Sequence, residues 1–113
     1  MRDPLTEAWS AELAAADDLR TNGDLGGAFR HLERAHILGQ RRTLLHVRAH
    51  WEMLELACMR RDPREVLGQL PRLLAALLMS RIWVPAGNTG GSNVSAFRRM
   101  AIPDDLARIL KQD

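Results

Sequence analysis

The chain contains one cysteine, no tyrosine and a single lysine, and its aromatic residues are three tryptophans and two phenylalanines. The lone thiol, Cys58, excludes an internal disulfide framework. Few aromatics leave no basic surface interleaved with rings of the kind that stacks nucleic-acid bases. Fifteen of the sixteen cations are arginine and the net charge is only +2. The pairs Arg41-Arg42, Arg60-Arg61 and Arg98-Arg99 are far apart, so no like-charge run points to nucleic acid. Long apolar runs are also missing: the longest, residues 73–79, lies between Arg72 and Arg81 and is far too short to span a bilayer. No membrane partner is expected. The opening Met1-Arg2-Asp3-Pro4 lacks a basic-then-apolar leader, which with the thiol count leads to an expected cytoplasmic location.

What remains is enough for one core: 113 residues, 46% hydrophobic and 27% charged. The pattern predicts an all-α protein, one helical domain over residues 1–113 built as an antiparallel bundle of four to five helices. Asp3 caps the first, with Pro4 at its first position and Leu5, Trp9, Leu13, Ala16 and Leu19 at helical spacing. Asn22-Gly23 ends it. Asp24 caps a second helix with an apolar stripe of Leu25, Ala28, Phe29, Leu32 and Ala35, stopped by Gly39. Thr43 is the expected cap of a third helix reaching about Arg60. Asp62-Pro63-Arg64-Glu65 opens a fourth, Glu65 standing where a capping box would use it. Pro71 is expected to kink that helix. Short links make neighbouring helices antiparallel. Over residues 82–101 helical periodicity is lost around Gly87-Asn88-Thr89-Gly90-Gly91, and Pro103 then starts a short last helix with Asp104 and Asp105 in its first turn. The small residues of Gly23-Asp24, Ala28, Leu32 and Ala35 resemble one helix of a tetratricopeptide hairpin, without a second copy.

All four histidines fall in the twenty residues from 31 to 50. At about 100° per residue, His46 and His50 lie about 40° apart on one face of the third helix, close enough to share an ion. Glu33 and His36 form an E-x-x-H pair on the second helix, the kind that bundles project inward to ligate metals. The turn near Gln40-Arg41 brings the two pairs face to face. The expected ligand set is therefore Glu33, His36, His46 and His50, with His31 and Met53 as additional candidates. It suits zinc first, then iron, copper or nickel. His31 is about 140° round from His36, and Met53 and Cys58 would add soft sulfur for copper(I). A purely structural alternative stands beside this reading. His46, His50, Met53 and Ala57 also trace a core-facing row, and each buried imidazole could be satisfied by a carboxylate such as Glu33 or Glu52.

No catalytic residue is assigned. Val47 stands where the metalloprotease motif needs glutamate, and no nucleophile pairs with a histidine by spacing. An enzyme would need an open coordination position or a pocket beside the histidines, which the sequence does not reveal. The glycine-rich segment lacks the lysine and the strand-to-helix setting of a phosphate loop, and reads as a crossing over the bundle. If it closes over the histidines, it controls their access to water.

Residues 28–40 (AFRHLERAHILGQ), His46 and His50, Arg64-Glu65-Val66-Leu67-Gly68-Gln69, residues 84–91 (VPAGNTGG) and Ile102-Pro103-Asp104-Asp105-Leu106 together resemble a family of small bacterial proteins classed as a domain of unknown function. The resemblance covers the chain from about Gly23 onward. It implies little about activity beyond a loose association with metal-resistance gene neighbourhoods. The resulting expectation is a metal-binding helical protein for storage, buffering or resistance. The alternative is a helical interaction module or homodimer with structural histidines and no metal.

Overall fold

The computed structural model describes residues 3–112. Its helices are α1 (Pro4–Thr21), α2 (Leu25–Gly39), α3 (Thr43–Met59), α4 (Pro63–Met79) and α5 (Asp104–Lys111), with no strand among the described residues. Three of the starts are fixed by aspartates. The Asp3, Asp24 and Asp62 carboxylates accept from the main-chain N–H groups of Thr6, Gly27 and Glu65 at 2.9, 2.9 and 3.1 Å, satisfying donors that the first turn leaves free.

Links of three residues join α1 to α4 in sequence. α1 packs on α2, α3 on α4 and α2 on α3, while α5 closes against α2 and α1. α2 therefore serves two clusters. Its first half places Ala28, Phe29 and Leu32 with Ala16, Met53 and Leu56, and its last turns place Ile37 and Leu38 against Leu106. Arg34 joins three helices, its guanidinium donating to Glu12 on α1 at 2.8 Å and to Asp105 on α5.

Local details depart from expectation at two places, the start of α3 and the role of Glu65. Thr43 is the first residue of α3, and Arg42 holds the capping position without a side-chain cap. The reason is that the Arg42 carbonyl already accepts from His46 N at 2.9 Å, while its guanidinium reaches Asp3 at 3.0 Å. Glu65 does not close a capping box, because its buried carboxylate turns inward to Gln69 and to the N–H of Ser92. α4 continues through Pro71, which removes one intrahelical donor without ending the helix.

Residues 80–103 cross the bundle without regular structure other than turns. Gln40, buried at the end of α2, clasps this crossing from both sides: its amide donates to the Pro85 carbonyl at 3.1 Å and accepts from Gly87 N at 3.2 Å.

Truncating the fully buried Leu38 should lower stability by about 2–5 kcal/mol through lost burial and a residual cavity. Leu44→Ala, at a position 83% exposed, should change it by less than about 0.5 kcal/mol. Urea denaturation midpoints distinguish the two, and equal losses would contradict the assignment of the core.

Candidate metal centre

The i, i+4 spacing on α3 sends His46 and His50 off the same face, and His36 meets them from the last turn of α2. All three are buried. Their Nε2 atoms converge, with separations of 3.0 Å from His36 to His46, 3.0 Å from His36 to His50 and 3.2 Å from His46 to His50.

Each Nδ1 points outward to a different partner. His36 Nδ1 lies 2.8 Å from the Asn88 carbonyl, His50 Nδ1 2.6 Å from Gln69 Oε1, and His46 Nδ1 2.9 Å from Ser80 Oγ. A carbonyl can only accept, so His36 carries its proton on Nδ1. The Gln69 amide nitrogen donates to Glu65 and to the Gly90 carbonyl at 2.7 and 2.9 Å, which leaves its oxygen facing His50. Ser80 uses its hydroxyl proton on the Ala76 carbonyl, so it too accepts. All three neutral imidazoles are thus Nδ1–H tautomers, and all three Nε2 lone pairs meet at one point with no proton to share.

Electrostatics work against adding one. Burial first, then the neighbouring imidazoles, push His46 down to about 3 and lower His36 well below the usual histidine range. Burial likewise pushes His50 down to about 4, against an opposing contribution from Gln69. A divalent ion bound there would remove the conflict. The separations of 3.0–3.2 Å would let His36, His46 and His50 hold one ion together at zinc–imidazole bond lengths of about 2.0–2.1 Å. The outward Nδ1–H bonds are the arrangement that orients metal-ligating histidines.

The other sequence candidates lie elsewhere. Among the described residues, the one cluster of three or more histidine, cysteine or acidic side chains whose ligand atoms all fall within 4.8 Å of one another is His36, His46 and His50. Glu33 sits one helical turn before His36 and accepts from the Thr89 side chain; burial raises its carboxyl pKa above the ordinary value. His31 pairs with Glu12 at 3.1 Å near the surface, and Met53 is packed into the hydrophobic cluster. Gln69, Ser80 and Asn88 were not singled out from the sequence. The available signal was polar side chains at positions where the chain turns inward, with Gln69 on a helix rich in leucine.

The glycine-rich segment lies directly over the triad. Gly90 has φ +86°, and a Cβ there would sit 2.6 Å from the His36 ring. Asn88 braces the same turn, accepting from Gly90 N at 2.8 Å and donating to the Ser95 and Arg98 carbonyls. Beside the histidines lies a cavity of about 360 Å³, walled by apolar side chains including Ala76, Met79, Trp83 and Phe97 and by Arg72. The pocket that an open coordination site would require is therefore present.

A family described as a protein of unknown function (DUF3703) matches residues 3–110, which include every residue of this centre. Neither the curated proteins nor the solved structures contain a match.

Two outcomes follow from this geometry. Gly90→Ala should destabilise the protein by about 1–3 kcal/mol through strain and contact with His36. Gly26→Ala, inside α2 with only an arginine tip nearby, should stabilise it by about 0.5–1 kcal/mol. The same sign for both would contradict the close approach. Because the three histidines have folded pKa values below their unfolded ones, the unfolded chain binds more protons below about pH 6.5. Stability of metal-free protein is then greatest above that pH and should fall by on the order of 2 kcal/mol or more between pH 7 and pH 5. A denaturation midpoint that stays flat across this range would contradict the buried neutral triad.

Proposed function

We propose that this chain, which belongs to the DUF3703 family, binds a transition-metal ion through the Nε2 atoms of His36, His46 and His50. The observation that carries the reading is the convergence of three lone pairs whose tautomers are set by outward hydrogen bonds. A buried acceptor without a donor costs about 1–3 kcal/mol, and three of them aimed at one point are explained by a cation. Three neutral nitrogen ligands in a triangular arrangement suit zinc first, with iron, nickel and copper as alternatives. The same three histidines line the adjoining cavity, from which an ion they held could take a further ligand. An incompletely coordinated ion can be exchanged, which suits storage, buffering or resistance better than a closed structural site.

Titration calorimetry on protein lacking a histidine tag should give one zinc ion per chain. Zinc at about a hundred times its Kd should add about 2.7 kcal/mol of stability. The double variant His46→Ala, His50→Ala should lose both effects, whereas His31→Ala should retain them. Gln69→Leu, which releases the outward bond of His50, should weaken binding by about 10- to 100-fold. Absence of stoichiometric metal, together with thermal stability unaffected by zinc or chelator, would overturn the proposal.

A second reading, an interaction module or homodimer, is favoured by the exposed leucine row Leu67, Leu70, Leu74 and Leu77 on α4. Their alternating spacing of three and four residues is that of a helix-pairing seam. This reading expects a mass that rises with concentration in sedimentation equilibrium, independently of the histidines.

A further inference from the structure

We infer that the cavity beside the histidines binds a small carboxylate with an apolar body, one carboxylate oxygen completing the coordination of the ion. The inference rests on the metal-binding proposal and extends it to the ligand of the same site.

Charge comes first. Three neutral imidazoles would leave a divalent ion with its full +2, and Arg72, a further cation, is among the residues lining the same cavity. The anionic group tied to the triad through hydrogen bonds is Glu65, held by Gln69 and the Ser92 N–H rather than facing the ion. An excess of positive charge beside apolar walls favours an anionic occupant.

Arg72 is fixed in place beside the cavity. Its Nη1 and Nη2 are held by the Gly68 and Val94 carbonyls, both at 2.8 Å, but its Nε–H is buried without a partner. A carboxylate supplies one oxygen for the ion and a negative charge that the Arg72 guanidinium favours. Inorganic anions satisfy the charge and leave the remaining walls unfilled. Those walls are Pro71, Ala75, Ala76, Met79, Trp83 and Phe97, and the cavity of about 360 Å³ falls in the size range of small-molecule sites.

The test uses the full chain loaded with cobalt(II), whose visible bands report changes in coordination. Benzoate should shift the bands saturably, acetate should bind at least about tenfold more weakly because it buries less apolar surface, and neutral benzamide should leave them unchanged. Arg72→Gln should weaken benzoate by about tenfold or more with cobalt stoichiometry intact. Phe97→Ala, at a position 76% exposed, should narrow the preference for benzoate over acetate without disturbing the fold. Stoichiometric cobalt with bands unmoved by benzoate would overturn the inference while leaving metal binding standing. So would benzoate binding that neither substitution alters. Failure to bind cobalt, visible before any anion is added, would remove the metal proposal and this inference together.

Discussion

Three lone pairs pointing at one another from about 3 Å cannot satisfy themselves, and much of the surrounding structure holds them in that position. A carbonyl from the crossing segment, an amide from α4 and a hydroxyl at the end of α4 each take one Nδ1 proton. Release of any one would let its ring rotate or change tautomer and hydrogen-bond to a neighbour. Because all three are fixed, the conflict persists in the metal-free protein. Burial blocks relief by protonation, since an imidazolium here would be desolvated beside two other imidazoles.

The fold can maintain this because the strain sits beside well-packed helices. α2 is anchored along its length by two apolar clusters, and the i, i+4 pair on α3 needs no special backbone. The irregular part is confined to residues 80–103, where Gln40, Gln69 and Asn88 replace the hydrogen bonds that a helix would supply. These uncharged side chains can satisfy a loop from inside without bringing a full charge into the core. Gly90 completes the arrangement by allowing the main chain to lie against His36.

Much of the helical frame was legible in the sequence because aspartate caps, proline at first positions and apolar spacing act locally. Periodicity also located His46 and His50 on one face. It could not show that Glu33, three residues from His36 and about 4.5 Å along the helix axis, would be taken by the crossing segment at Thr89. Nor could it show that Glu65 would turn from its helix start to the N–H of Ser92. Both outcomes depend on the path of residues 80–103, which has no period to read. The partners that fix the tautomers lie 19, 34 and 52 residues from their histidines, beyond any local pattern.

Nitrogen-15 NMR of the histidine side chains in metal-free protein near pH 7 tests the central claim most directly. The account predicts neutral Nδ1–H tautomers for His36, His46 and His50, and a large shift of all three Nε2 resonances when one equivalent of zinc is added. An Nε2–H tautomer or an imidazolium at any of the three, with Nε2 signals unchanged by zinc, would contradict it.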